Sequence, residues 1–183
     1  MVSLTLLLRQ AVKEERWGDA SMLFTRIPPA ARTTDHLRLA WQAAMGLGDY
    51  EQAIALARQL ESLQAGASSM ALEARALVGA GRKADALPLV DKALAAADDP
   101  ALRSELSTIR AAAGSDDPLR DLRSALAANP DNVEALVAIS DLFASEQDYR
   151  KAMEYAKRAA ELSPGNELLA QKAANLQTRA SGK

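Results

Sequence analysis

The sequence has no cysteine among its 183 residues, which excludes disulfide bonds, thiolate zinc sites and cysteine nucleophiles. Aromatic residues are also scarce, at 4%, although hydrophobic residues make up 49% of the chain. The apolar content is therefore mostly alanine and leucine, which favour helices and have modest volumes. This composition predicts closely packed helices rather than a sheet.

Neither sign of charge dominates, because 22 basic residues face 24 acidic ones for a net charge of −2. This balance gives no indication of a nucleic acid partner. The sequence also has no 18-residue apolar run, and its first nine residues lack the basic and apolar regions of a signal peptide, so we expect no membrane insertion. We expect a cytoplasmic protein, or a periplasmic one if a signal peptide has been removed.

Residues that carry catalytic or metal chemistry are few. His36 is the single histidine, and no triad or metal motif surrounds it; we interpret it as a polar residue in the first turn of a helix and expect its replacement to have almost no effect. Asp98-Asp99 and Asp116-Asp117 lack the spacing of a calcium loop and each precede a proline, so we interpret them as helix N-caps. The sequence predicts no enzyme, cofactor or metal site, and gives no indication of a small-molecule substrate.

The clearest positive feature is a repeat of 33 residues. Trp17 and Tyr50 are 33 residues apart, and Tyr149 lies three such steps beyond Tyr50. Alanines follow the same period, at Ala20, Ala53, Ala86 and Ala152. Small residues at regular positions allow close helix crossings, and a period of this length predicts an array of helix pairs that bury their apolar faces by stacking.

The apolar pattern divides the chain into five repeats and a final single helix. We place them at about 1–33, 34–66, 67–98, 99–132, 133–165 and 166–179. The predicted fold is all-α: a right-handed α-solenoid of antiparallel helix pairs, forming one domain over 1–183. Leu169, Ala173 and Leu176 of the last helix are expected to cap the fifth repeat. Gly48 and Gly81 are expected to end helices in the left-handed conformation.

Several of these residues resemble the tetratricopeptide repeat consensus along essentially the whole chain. The matching elements are Ala20 with Phe24, Gly48-Asp49-Tyr50 with Ala53, and Tyr149 with Ala152 and Pro164. Trp41 and Ser140 depart from the consensus, since a small glycine is usual there, and Pro118 stands where alanine is expected. The resemblance implies a protein-interaction scaffold rather than an enzyme.

The resemblance also implies that the first helix of each repeat lines a concave groove. The corresponding positions carry mostly basic side chains, at Arg9, Lys13, Arg38, Gln42, Arg75, Arg103 and Arg110, beside an apolar track of Leu6, Leu39 and Leu72. Guanidinium groups bind carboxylates through paired hydrogen bonds, so we expect a peptide segment of a partner protein with acidic residues or a free C-terminus. The alternative is an ordinary solvated face beside half-buried leucines.

The fifth repeat differs, because Glu134 and Asp141 would make such a groove bipolar. Some family members hold chaperone tails with two lysines and two asparagines, but Thr5, Arg9 and Leu39 stand at the corresponding positions here. We therefore predict a non-enzymatic interaction module that binds a peptide in a partly basic groove. The alternatives are an assembly or secretion chaperone, and a regulatory domain of a larger protein.

Overall fold

The computed structural model describes residues 3–182, and the regular structure in this range is entirely helical. A short 3-10 turn, Pro29–Ala31, follows the second of eleven α-helices. The helices are α1 (Leu4–Lys13), α2 (Trp17–Thr25), α3 (Thr34–Leu47), α4 (Tyr50–Leu63), α5 (Ala67–Gly79), α6 (Lys83–Ala96), α7 (Pro100–Ala112), α8 (Pro118–Ala128), α9 (Val133–Ser145), α10 (Tyr149–Leu162) and α11 (Glu167–Ala180). The all-α prediction is confirmed.

The helices pack as consecutive pairs: α1 with α2, α3 with α4, α5 with α6, α7 with α8, and α9 with α10. The chain forms two compact units, Met1–Ala96 and Ala97–Lys183. The first unit holds the first three pairs, and α3 also packs against α1 and α2. The second unit holds the other two pairs and α11, which packs on α10. The predicted array of helix pairs is confirmed, whereas the single domain stays a prediction.

Local capping explains where the helices begin and end. Asp99 and Asp117 accept hydrogen bonds from the backbone N–H groups of Leu102 and Arg120, at 2.9 Å each. Both residues are followed by a proline at the first helical position, where its missing N–H is harmless. The α3 helix ends at Gly48, whose φ of 73° is a conformation that residues with a side chain rarely adopt. These predicted caps are confirmed.

The alanines of the 33-residue repeat lie in the helix contacts. Ala20, Ala53 and Ala86 in the first unit and Ala152 in the second have no exposed surface. A helix can approach this closely only where the side chain is small, since a larger one would force the backbones apart. The alanine period therefore fixes how the paired helices cross.

The last helix covers apolar surface in the second unit. Ala173 and Leu176 of α11 are buried in one cluster with Phe143 of α9 and with Ala152 and Ala156 of α10. Gln171 and Asn175 of α11 are exposed. A helix that is apolar on one face and polar on the other closes a repeat array, which confirms the predicted cap.

Candidate functional site

A cleft in the first unit brings both tryptophans of the chain together. We call it the tryptophan cleft; it has a volume of about 520 Å³ and is lined by Val12, Lys13, Glu15, Trp17, Trp41, Gln42, Met45, Gly46 and Arg75. Three of these residues, Lys13, Gln42 and Arg75, belong to the groove that the sequence predicts. The cleft therefore joins part of the predicted groove to aromatic surface.

Three successive first helices position the lining side chains. Lys13 is the last residue of α1, and Arg75 lies on α5. Trp41, Gln42, Met45 and Gly46 lie on α3, where a spacing of about four residues places side chains on one face. Between α1 and α2 the chain turns at Glu15, whose φ of 55° is unusual for a residue with a side chain.

Trp17 forms its wall of the cleft by packing on a glycine. A Cβ atom built on Gly46 would lie 2.4 Å from Cδ2 of the Trp17 ring, so only glycine permits this approach. The ring therefore lies directly on the α3 backbone. A large aromatic ring fixed in this way gives a binding surface that loses little conformational entropy when a ligand binds.

Trp41 is the second aromatic residue of the cleft. Its side chain replaces the small residue usual at this repeat position, and only 8% of its surface is exposed. Within residues 3–182 the buried Nε1–H of this indole has no hydrogen-bond acceptor. A buried donor without an acceptor costs about 1–3 kcal/mol, and such groups are rare outside functional sites.

The charge of the tryptophan cleft is net positive, since Lys13 and Arg75 face one acid, Glu15. Lys13 is exposed and Arg75 is half-buried. The neighbouring Glu14 is engaged elsewhere, because its carboxylate accepts hydrogen bonds from Gln10 at 3.0 Å and Arg16 at 2.9 Å. These two bonds, Gln10 first, lower the pKa of Glu14 below its ordinary value.

Other basic residues of the predicted groove make contacts inside the protein. Arg9 forms an ion pair with Asp35 of α3, at 2.7 Å. Arg103 donates a hydrogen bond to the Ala97 carbonyl oxygen, at 2.9 Å. By contrast, the exposed Arg38 has no ion pair within residues 3–182, and it does not line the tryptophan cleft.

Arg110 belongs to a network inside the second unit. Its guanidinium donates to both carboxylate oxygens of Asp121, at 2.8 and 2.9 Å. The Ser115 hydroxyl donates to the same carboxylate, at 2.5 Å. Only 7% of Asp121 is exposed. Arg110 therefore compensates a buried charge that joins α7 to α8, a role that its sequence position does not reveal.

The leucines of the predicted apolar track differ in exposure. Leu6 is 58% exposed, whereas Leu39 and Leu72 are half-buried. The half-buried pair lies on α3 and α5, the helices that also carry Gln42 and Arg75.

His36 has a structural role that the sequence does not indicate. Only 7% of it is exposed, and its Nε2 lies 2.8 Å from the Thr5 hydroxyl of α1. Its Nδ1 accepts a hydrogen bond from the Thr33 backbone N–H, and its own N–H donates to the Thr33 hydroxyl. This reciprocal pair is a capping box. Assigning His36 to the first helical turn is confirmed, but the expectation that it contributes almost nothing conflicts with these contacts.

Metal and membrane chemistry find little support in the described part of the chain. No three histidine, aspartate or glutamate side chains of residues 3–182 come together as metal ligands. Every helix in the same range is too short or too polar to cross a lipid bilayer.

Helix pairs of similar length, stacked in sequence and with a cleft on their first helices, define a helical-repeat protein. Two segments of the chain, residues 39–101 and 110–167, match the family model described as tetratricopeptide repeat. The chain belongs to this family. Its members are generally scaffolds without catalytic activity, and the fold supports binding of another protein or a peptide.

Solved structures share the fold. A thermophilic TPR protein from Thermus thermophilus has a TM-score of 0.80 and 19% identity, over 96% of this chain and 97% of its own. MamA of AMB-1 gives 0.60 and 18%, over 90% and 99%. YrrB, a TPR protein with an unusual peptide-binding site, gives 0.53 and 16%, over 92% and 89%. A search of curated protein sequences found no significant match.

Proposed function

We propose that this protein is a non-enzymatic interaction module whose first unit binds an acidic or C-terminal peptide segment of a partner protein in the tryptophan cleft. One observation carries the proposal: Lys13, Gln42 and Arg75, predicted from sequence as groove residues, line one cleft together with both tryptophans. Convergent polar groups beside aromatic surface are typical of a binding site.

Each part of the cleft suits one part of such a peptide. The Lys13 ammonium and the Arg75 guanidinium attract a carboxylate, and a guanidinium can hold it through two hydrogen bonds. The Gln42 amide offers both a donor and an acceptor to a peptide backbone. Trp41 and Met45 provide apolar surface for a side chain. Glu15 repels a second carboxylate on its side, which favours one orientation of the segment.

Tryptophan emission tests the proposal directly, because both tryptophans line the cleft. The probes are tryptophan-free hexapeptides with two glutamates and a free C-terminus, compared with peptides in which glutamine replaces glutamate and the C-terminus is amidated. We expect the acidic peptides to change the intensity and wavelength of the emission in a saturable way. Because the cleft is open to solvent, raising the salt concentration should weaken their binding.

The variant Lys13→Glu places a negative charge where the proposal needs a positive one, and we expect binding to weaken about tenfold. Lys92→Glu is the matched control, since Lys92 is also exposed in the first unit but does not line the cleft. Equal binding by both variants, or preference for the neutral peptides, would contradict the proposal.

A further inference from the structure

The second unit contains another cleft, with the opposite charge. We call it the α9 cleft; it has a volume of about 440 Å³, and its walls come from α7, α8 and α9. Its apolar surface is provided by Ala111, Leu122, Ala138 and Leu142. A space of this size accepts more than one aliphatic side chain.

The apolar surface reaches solvent although it is continuous with the core. Leu122 is buried, with 1% of its surface exposed, and it belongs to the hydrophobic cluster of the second unit. Ala138 and Leu142 pack against this cluster but are only partly buried. A ligand side chain placed here would therefore extend the existing core and lose its contact with water, which is favourable for apolar groups.

Both charged residues that line the α9 cleft are acids. Glu134 and Asp141 are exposed, and Ala138 lies between them on the same helix. Spacings of four and three residues place all three side chains on one face of α9. Asp141 forms an ion pair with Lys172 of α11, at 2.5 Å, but 61% of its side chain is exposed. Its second oxygen can accept a hydrogen bond from a ligand.

We propose that the α9 cleft binds a peptide segment of a partner in which apolar side chains adjoin lysine or arginine. The apolar side chains lie on Leu122, Ala138 and Leu142, and the basic side chains lie over Glu134 and Asp141. Complementary charge favours this segment over an acidic one, because like charges would face each other across the cleft. The inference goes beyond the function proposed for the first unit and does not depend on it.

Isothermal titration calorimetry of the full chain tests this inference with three eight-residue probes. The first probe has two leucines and two lysines, the second has glutamate in place of lysine, and the third has serine in place of leucine. We expect the first probe to bind at least about tenfold more tightly than either of the others. Tryptophan emission should not change with the first probe, since both tryptophans lie in the first unit.

Two variants locate the binding site. Glu134→Lys reverses a charge of the cleft, and Ala138→Arg fills the apolar surface with a bulky cation. We expect each to weaken binding of the first probe about tenfold. The matched control is Glu154→Lys, which makes the same charge change at an exposed position on α10. Circular dichroism melting shows whether each variant is folded; if Ala138→Arg is not, Glu134→Lys alone decides, because it lies on the exposed rim.

Three results would overturn the inference. The first is unchanged binding by the folded Glu134→Lys variant, and the second is tighter binding of the glutamate probe than of the lysine probe. The third is a concentration-dependent dimer of the unliganded chain, measured by light scattering, that Glu134→Lys disrupts. That result would make a second copy of this chain, rather than a basic peptide, the occupant of the cleft. A change of tryptophan emission would concern the first unit and leaves the two proposals distinguishable.

Discussion

The indole ring of Trp17 lies on Gly46, at a distance that leaves no space for a side chain on the glycine. The same contact occurs one repeat later: a Cβ atom built on Gly79 would lie 2.5 Å from Cε1 of Tyr50. In both cases the glycine follows the aromatic residue by 29 residues. The aromatic residue therefore begins the second helix of one pair and packs on the first helix of the next pair.

This contact predicts an unusual effect of adding a methyl group to a helix. Glycine to alanine within a helix normally stabilises a protein by roughly 0.5–1 kcal/mol. We expect Gly46→Ala and Gly79→Ala to destabilise by about 1–3 kcal/mol instead, because the new methyl group overlaps a packed ring. Urea unfolding measures the difference.

Gly18→Ala is the matched control for these variants. Gly18 lies on α2, and a Cβ atom there would have no neighbour within 4 Å. It should leave the stability unchanged or raise it. If Gly46→Ala stabilises the protein as much as Gly18→Ala does, the packing of Trp17 on the α3 backbone is wrong.

The contacts of His36 predict a loss of stability when it is replaced. His36→Ala removes the bonds to Thr5 and Thr33, and we expect it to destabilise by about 1–2 kcal/mol. His36→Gln should recover part of this loss, because glutamine at the same position also completes a capping box. Thermal unfolding of both variants provides the measurement. Equal melting temperatures for wild type and His36→Ala would show that these bonds contribute nothing.

The network around Asp121 predicts a difference between buried and exposed ion pairs. Asp121→Ala leaves Arg110 without its bidentate partner, and we expect a destabilisation of about 1–3 kcal/mol. Asp35→Ala, which breaks the exposed pair with Arg9, should change stability by less than about 1 kcal/mol. Chemical unfolding compares the two variants. A larger effect at Asp35 would contradict the structural role that we assign to Arg110.

The cap formed by α11 predicts the effect of a truncation. Removing residues 167–183 exposes the apolar cluster that contains Phe143 and Ala156. We expect a lower melting temperature and association of the truncated chain, both from the exposed apolar surface. Differential scanning calorimetry and light scattering measure these effects, with removal of residues 181–183 as the control. A stable, monomeric truncation would show that the fifth helix pair closes the array without α11.

The fold can be predicted from sequence because its signals are local or periodic. The caps at Asp99 and Asp117 act within three residues, and the alanines recur at the helix contacts. The candidate site is less predictable, since charge positions do not reveal which charges pair. Arg110 has an internal partner on another helix, whereas Arg38 does not line the cleft.

Sequence reasoning misses the two tryptophans of the cleft for a related reason. Their spacing indicates helix packing, which is correct for Trp17, but the same ring also forms a wall of the cleft. The recurring interval of 29 residues from Trp17 to Gly46 and from Tyr50 to Gly79 is a signal present in the sequence. This interval places Trp17 on α3, next to Gln42.

Photo-crosslinking tests most directly whether the tryptophan cleft binds an acidic peptide. The probe is the acidic hexapeptide with a benzophenone side chain in its centre, irradiated with the full chain and mapped by mass spectrometry. We predict crosslinks to α3 between Trp41 and Gly46, which decrease when the same peptide without benzophenone is added in excess and when Lys13 is changed to glutamate. Specific crosslinks confined to the second unit, or to surfaces of the first unit outside the cleft, would contradict the proposed site.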